Sequence, residues 1–245
     1  MKTLRYSVLL AALYAYESVA AIGINSMVEF AHEGEGLFTI SNGDDYRQFI
    51  SVAVSSVSVE NGEFVNSPYT RENINEWSLE VRPARTVIDA KLSKDFKVIY
   101  KPLDSDLTDK DKMYQLTFVP TPYFAQGEPA KHVVQVAIGF APFFVVPAEK
   151  DQPFNYDITY TEQGIQVNNQ GNSYIRAVFD ACPASTKGKA RAACTKEAYV
   201  MSGRKLVIPL MPTMLGAATI KANISTHYST YKDKLILQKN QTQKR

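Results

Sequence analysis

Two cysteines, Cys182 and Cys194, are the residues of this sequence with the clearest capacity for covalent or metal chemistry. Neither belongs to a Cys-x-x-Cys pair, and none of the three histidines, His32, His132 and His227, lies near them in the sequence. This spacing matches neither a zinc site nor a redox motif, so we predict no metal ion here. Two alternatives remain, a disulfide and a pair of free thiols, and the cellular compartment decides between them.

Acid–base and nucleophilic catalysis have no good candidate in the sequence. The chain contains no GxSxG, no HExxH and no phosphate-binding glycine loop. Asp44-Asp45 and the stretch from Asp104 to Asp111 are rich in charge, which is typical of solvated loops. We therefore predict that the protein is not an enzyme, uses no cofactor and has no small-molecule substrate.

The charge of the chain argues against nucleic acid as a partner. Lysine and arginine total 27, aspartate and glutamate total 25, and the formal net charge is only +2. No basic run interleaved with aromatic residues is present, as would be expected of a nucleic-acid-binding surface.

The N-terminus has the pattern of a secretory signal peptide. Lys2 and Arg5 precede a short apolar core, Val8 to Tyr16, and small residues near Ala20 offer a cleavage site. The core is too short for a membrane span, which needs about 20 apolar residues. We predict a signal peptide over residues 1–20 and a mature protein that is exported and is not integral to a membrane. Export favours the disulfide between Cys182 and Cys194.

A strictly alternating stretch, KHVVQVAIGFAPFFVVP, begins at Lys131. Its large apolar row and its small or polar row point to opposite sides of a strand because side chains alternate with period two. The large row consists of Val134, Val136, Ile138 and Phe140; the other consists of Val133, Gln135, Ala137 and Gly139. One interpretation is an internal strand of a sandwich core. The other is an edge strand whose apolar row is lent to another protein, because such an edge aggregates unless it is covered.

The rest of the chain contains many short alternating segments separated by turn signals, such as Asn61-Gly62, and no convincing helical pattern. This is typical of an all-β sandwich protein. Pro147 to Pro153 is polar and proline-containing, which indicates a linker between two strand-rich domains, residues 21–147 and 148–245. The polar end, Lys239 to Arg245, is expected to be frayed.

Four segments carry a resemblance to the periplasmic pilus chaperones of the chaperone–usher pathway, closest to the branch that assembles alpha-type fimbriae and the common pilus of enteric bacteria. The resemblance covers nearly the whole mature chain. The segments are Leu79 to Arg85 followed by Phe96 to Lys101; Met113 to Phe118; Val134 to Phe140, ending at Pro147; and Gly164 to Cys182 with Cys194 and Tyr199 to Gly203.

The resemblance implies two immunoglobulin-like β-sandwich domains in tandem, a periplasmic location, and two kinds of protein partner, pilus subunits and an outer-membrane usher. In that family the chaperone donates a strand to a subunit that lacks its last strand, which is a form of β-strand addition. Val134, Val136, Ile138 and Phe140 match the donated row. The alternative function is an exported structural protein, such as a pilus subunit or an immunoglobulin-like adhesin.

One departure from the family concerns the anchor for the subunit's C-terminal carboxylate. The family uses an arginine in the first strand and a lysine on the donor strand, but Asn25 to Ala31 and Val133 to Val146 contain no basic residue. A carboxylate still favours a cation. Arg85, Arg176 and Lys131 are the candidate anchors, with His132 beside the last of them.

Overall fold

The structure is a computed structural model, and it describes residues 22–124 and 139–245 of the 245-residue chain. Strands dominate the described residues, with one short helix, α1 (Pro212–Leu215), and two 3₁₀ segments, Arg71–Glu76 and Gly188–Ala193. The strands before residue 147 are β1 (Ile22–Ile24), β2 (Val28–Phe30), β3 (Glu35–Asn42), β4 (Gln48–Glu60), β5 (Glu63–Pro68), β6 (Leu79–Arg82), β7 (Arg85–Ile88), β8 (Ser93–Tyr100), β9 (Lys112–Pro122) and β10 (Phe143–Val146). Those after it are β11 (Tyr156–Tyr160), β12 (Ile165–Asn169), β13 (Ile175–Asp180), β14 (Thr195–Val200), β15 (Lys205–Ile208), β16 (Thr219–Ser225), β17 (Lys232–Gln238) and β18 (Thr242–Lys244).

The first sandwich packs one sheet of order β1-β3-β8-β6 against a second of order β2-β10-β9-β4-β5, in which β7 also pairs with β4. Its strands pair in antiparallel fashion except β2 and β10, which run parallel. Alternate residues of both sheets bury large side chains between them, as the period of two requires. The largest of these fully buried side chains are Phe38, Phe96, Phe118, Phe144, Ile40, Ile50 and Leu116.

The second sandwich packs a sheet of order β15-β12-β11-β18 against one of order β14-β13-β16-β17. It has its own core, in which Tyr156, Tyr160 and Phe179 are the largest fully buried side chains. The predicted fold class, an all-β protein with two immunoglobulin-like sandwiches in tandem, is confirmed. The predicted signal peptide lies outside the described residues. Among the described residues, the structure contains no helix long and apolar enough to cross a membrane.

The turn between β4 and β5 shows how local sequence sets the register. Asn61 and Gly62 both have positive φ, 53° and 82°. This is the backbone of a two-residue hairpin turn whose twist matches that of the strands, and asparagine followed by glycine favours it. Glu60 then pairs with Glu63, and the ladder continues to Ser55 and Pro68.

The C-terminal segment is ordered, so the prediction of a frayed end is wrong. β18 pairs with β11, and the backbone amides and carbonyls of Tyr156 and Arg245 bond each other at 2.8 and 2.9 Å. Two ion pairs, Lys244 with Asp157 and Arg245 with Asp233, also join this segment to the sandwich. A polar sequence can form such an edge strand because the ladder is made by the backbone and needs no apolar side chain.

Candidate functional site

The C-terminal end of the predicted donor strand lies at an edge of the first sandwich. Phe140 pairs with Phe118 of β9 through two backbone hydrogen bonds of 2.8 and 3.1 Å. The same register continues into β10, where Phe143 is opposite Gln115. On the other side of β10, β2 covers only Phe143 to Val145. Among the residues that the structure describes, no strand therefore pairs with the outer edge of Phe140.

The side chain of Phe140 is half-buried and packs against the core of the first sandwich. Its parity is shared by Pro142, Phe144 and Val146, which are buried. Phe140 thus contributes to the chain's own core while part of its ring stays accessible. Its predicted role in subunit binding stays a prediction. The other members of the predicted row, Val134, Val136 and Ile138, and the candidate anchor Lys131 lie outside the described residues.

Gly139 shows why a small residue precedes Phe140. A Cβ added to Gly139 would lie 2.6 Å from the carbonyl oxygen of Phe118, closer than carbon and oxygen approach without bonding. Any other residue would have to displace the chain from β9 here. The small row of the alternating stretch therefore ends at a point of close backbone approach.

The two sandwiches meet in a mixed aliphatic and aromatic cluster that the sequence did not reveal. Its buried members come from both sandwiches: Val57, Met113 and Val145 from the first, Tyr174 and Met201 from the second. Rings extend the cluster: the Phe30 ring centroid lies 4.7 Å from that of Tyr174 and 5.0 Å from that of Tyr199, and Phe64 lies 5.0 Å from Phe143. The sequence pattern predicts each of these residues to be an ordinary core residue, because the surface that it contacts in the other sandwich is more than 25 positions away along the chain.

Asp111 is the polar centre of this junction. Its carboxylate accepts hydrogen bonds from the backbone amides of Ala148, at 2.8 Å, and Tyr174, and its own amide donates to the carbonyl of Asn172 at 3.0 Å. Burial raises the pKa of the Asp111 carboxyl to about 6, although the hydrogen bonds from the two amides oppose this rise. The prediction that this loop is merely solvated is wrong for Asp111, because its side chain spans the linker and the second sandwich.

The structure describes two of the candidate anchors, Arg85 in the first sandwich and Arg176 in the second. Arg85 begins β7 and is opposite Ser51 of β4. Val57 in the junction lies six positions after Ser51, which corresponds to roughly 20 Å along an extended strand. Arg176 lies on β13, where its Nε is 2.6 Å from Glu197 Oε1.

The environment of Arg176 connects it to the junction. The Tyr199 hydroxyl donates to the same Glu197 oxygen at 2.9 Å, and the Tyr199 ring contacts Phe30. The guanidinium of Arg176 holds the pKa of the Glu197 carboxyl below its usual value. Arg176 is therefore the described candidate that lies beside the junction between the sandwiches.

The family of this chain is decided by its first sandwich. Residues 24–147 match the family described as the CS5 fimbrial protein N-terminal domain. This chain belongs to that family. The matched CS5 N-terminal domain accordingly begins at the last residue of β1 and contains β2 to β10, the edge at Phe140 and the first half of the junction.

Solved structures share the fold of both sandwiches. The periplasmic chaperone SfaE is 11% identical, with a TM-score of 0.51 over 88% of this chain and 98% of that one. A chain in the complex of the Salmonella enterica SafA pilin with the SafB chaperone is 13% identical, with a TM-score of 0.52 over 91% and 99%. The class 5 fimbriae chaperone CfaA is 16% identical, with a TM-score of 0.49 over 90% and 99%. No curated protein matches the sequence. At these identities the first two likenesses establish the fold, and the predicted resemblance to the pilus chaperones is confirmed.

The second sandwich carries the predicted disulfide. Cys182 and Cys194 are bonded, with their Cα atoms 5.0 Å apart, so the prediction is confirmed. The bond closes the loop that joins β13 to β14, whose last ladder pair is Asp180 with Thr195. Arg191, inside the loop, pairs with Asp180 and so draws the loop back onto the strand that precedes it.

The junction between the CS5 N-terminal domain and the second sandwich should make stability depend on pH. The folded pKa of Asp111, about 6, is above the ordinary 3.8, so the folded state holds the proton more tightly. The stabilisation is fully present below pH about 4 and is lost as the pH rises through about 6, with an upper limit on the order of 3 kcal/mol. We expect the melting temperature of the parent, relative to that of Asp111→Asn, to fall between pH 4 and pH 6.5.

Other titrating groups contribute equally to the parent and to Asp111→Asn, so they cancel in the difference between the two melting temperatures. Burial lowers the pKa of His227, which acts with the opposite sign near the same pH, but His227 is present in both proteins. Melting curves at half-unit intervals of pH measure the difference directly. Parallel curves for the parent and Asp111→Asn would contradict the assignment.

Proposed function

We propose that this protein is a periplasmic chaperone that binds a fimbrial subunit by donating residues 133–140 as a strand and then delivers the subunit to an outer-membrane usher. Membership of the CS5 fimbrial family and the two-sandwich fold support this proposal. The observation that carries it is the edge at Phe140, where the chain enters the first sandwich beside β9 with no described strand on its outer side.

A shared edge strand explains the half-buried state of Phe140. A strand at the border of two sandwiches continues the sheet of one into the sheet of the other, and its apolar row then lies against both cores. The side chain of Phe140 faces the core of the first sandwich, and part of it remains accessible to solvent. We propose that a bound subunit covers that area, and that Val134, Val136 and Ile138 fill the groove of the subunit.

The alternative, a pilus subunit or an adhesin, has less support. A subunit of this kind is one incomplete sandwich with a donor extension, whereas the described residues form two sandwiches with separate closed cores. The proposed chaperone acts by binding and has no catalytic role. Its periplasmic location follows from the signal-peptide pattern of residues 1–20.

For the carboxylate of the subunit we propose Arg176 as the anchor. Its ion pair with Glu197 is exposed, so the pair contributes little stability and can be exchanged for another carboxylate. Its guanidinium offers a bidentate site beside the junction of the two sandwiches. Arg85 and Lys131 remain weaker proposals, Arg85 because its partner on β4, Ser51, lies far from the junction.

Co-expression in the periplasm with a fimbrial subunit tests this function. We expect the subunit to be recovered as a soluble one-to-one complex with the parent protein and to be lost to aggregation or proteolysis without it. Arg176→Ala should weaken the complex about 10-fold or more, since a hydrogen bond to a charged group contributes about 1.5–3 kcal/mol. Arg85→Ala, measured in parallel, decides between the two anchors. Recovery of the subunit without this protein, or polymerisation of this protein into fibres, would contradict the proposal.

A further inference from the structure

A second open face lies on the opposite side of the first sandwich from the donor edge. A groove of about 650 Å³ separates β4 from β6, and we call it the β4–β6 groove. Val52 and Val54 of β4 and Leu79 and Val81 of β6 form its apolar floor. The sheet order places β4 two strands from β10, about 10 Å away. The groove is therefore separate from the edge at Phe140.

The strands around this groove leave room for an added strand. β6 is the last strand of its sheet and pairs with β8 alone among the described strands. Across the groove, β5 covers β4 from Ser55 to Glu60 and β7 covers it from Gln48 to Ser51. In the interval between β5 and β7, the Val52 amide donates to the Ala84 carbonyl and the Tyr69 amide donates to the Val54 carbonyl, so the open strand edge at the groove is that of β6. A strand edge of this kind is the surface to which an extended peptide adds.

Two stacked aromatic rings form one wall of the groove. Tyr69 and Trp77 lie with ring centroids 5.1 Å apart and planes 8° from parallel, and Trp77 is 39% exposed. Trp77 Nε1 donates to Asn73 Oδ1 at 3.0 Å, and the Tyr69 hydroxyl accepts from the Ser78 amide at 3.0 Å. The wall is thus held in place before any partner arrives, which lowers the entropic cost of binding. Tryptophan and tyrosine in such positions are typical anchors of interfaces.

The rim of the groove is positively charged. Glu80 is paired with both Arg82 and Lys101, whose cations hold the pKa of its carboxyl at about 2. Arg85 lines the same groove and has no ion-pair partner within residues 22–124 and 139–245. Of the charged residues that line the groove, the cations Lys101 and Arg85 face one carboxylate, that of Glu80, so Arg85 is free to take a second carboxylate in its fork.

We propose that the β4–β6 groove binds an extended acidic segment of a partner protein, which adds to the edge of β6, places apolar side chains on Val52, Val54 and Trp77, and pairs a carboxylate with Arg85. The charge of the rim selects an acidic segment, and the open edge of β6 selects an extended one. This interaction is additional to subunit binding at the donor edge and does not depend on it.

Trp77 is the only tryptophan in the chain, so its fluorescence reports on this groove alone. The probe is a library of random decapeptides displayed on phage and selected on the whole mature protein. We expect the selected peptides to combine aspartate or glutamate with apolar residues at alternating positions. A synthetic copy of one of them should change the emission of Trp77 in a saturable way, and added salt should weaken its binding.

Two charge-reversal variants give the matched comparison. Arg85→Glu should weaken the selected peptide at least 10-fold, whereas Lys189→Glu, an equal change of charge on the exposed 3₁₀ segment of the second sandwich, should leave its affinity unchanged. Equal affinities for the two variants, selected peptides without acidic residues, or binding that leaves Trp77 emission unchanged would each overturn the proposal. Self-association of the protein that buries Trp77, measured by sedimentation, would assign the groove to a second copy of this chain and overturn it too.

Discussion

Under the proposed donor-strand function, replacing Ile138 by aspartate should abolish recovery of the fimbrial subunit while the protein itself stays folded. A fully buried side chain of this size contributes about 1.5–3 kcal/mol to the complex, and an unpaired charge in an apolar groove adds a further cost. We expect a loss on the order of 4 kcal/mol or more, which corresponds to at least about 1,000-fold in affinity. The measurement is co-purification of the variant with its subunit, together with a melting curve of the variant alone.

Ile236→Asp is the matched control for this prediction. Ile236 lies on β17 of the second sandwich and is 60% exposed, so the same substitution there should change neither the complex nor the fold. If Ile138→Asp still carries subunit at the parental level, the donor row is wrongly assigned. If Ile138→Asp melts far below the parent, Ile138 belongs to the chain's own core, as Phe140 in part does.

Removing the disulfide should destabilise the second sandwich strongly. Cys182 and Cys194 are 12 positions apart, and closing a loop of this length stabilises by roughly 3 kcal/mol in the chain-entropy account. For a domain of about 100 residues this corresponds to a fall of about 10–20 °C in melting temperature. The double variant Cys182→Ala with Cys194→Ala, measured by calorimetry under non-reducing conditions, checks this.

Chemical reduction of the parent protein distinguishes the effect of losing the crosslink from the effect of replacing the two cysteine side chains. The reduced parent and the double variant should melt at about the same temperature, because both lack only the constraint on the unfolded chain. The loop from Pro183 to Ala193 should become susceptible to proteolysis in both. Equal melting temperatures for the oxidised and reduced parent would show that Arg191 and the β13–β14 ladder hold the loop without the bond.

The pairing of strands into two sandwiches follows from local signals that the sequence carries. Asn61-Gly62 fixes a hairpin because asparagine and glycine accept positive φ, and alternating apolar residues fix which face of β4 or β9 is buried. The disulfide was also predictable, because the chain has two cysteines and the sequence pattern of an export signal. Such features depend on neighbours close in sequence or on composition, and tertiary contacts do not reverse them.

The candidate site was only partly predictable. The sequence singled out Phe140 by its place in an alternating row, but it assigned the whole side chain to a partner, whereas the structure packs the ring partly into the chain's own core. The sequence could not place Arg176 beside the junction, because that placement depends on Tyr199, whose ring contacts Phe30 of the other sandwich. Periodicity identifies the apolar face of a strand, but it does not tell whether the chain's own core or a partner protein covers that face.

The amino-acid sequence was enough to predict an all-β protein with two sandwiches and a disulfide in the second, whereas export and donation of the apolar row remain predictions. Contacts across the folded protein were needed to find that Asp111 joins the two sandwiches, that the polar C-terminus is a strand, and that Tyr69, Trp77 and Arg85 share one groove. The first set rests on period, composition and turn chemistry, which each segment carries alone. The second set rests on contacts between distant segments, and their energy exists only once both sandwiches have folded and docked.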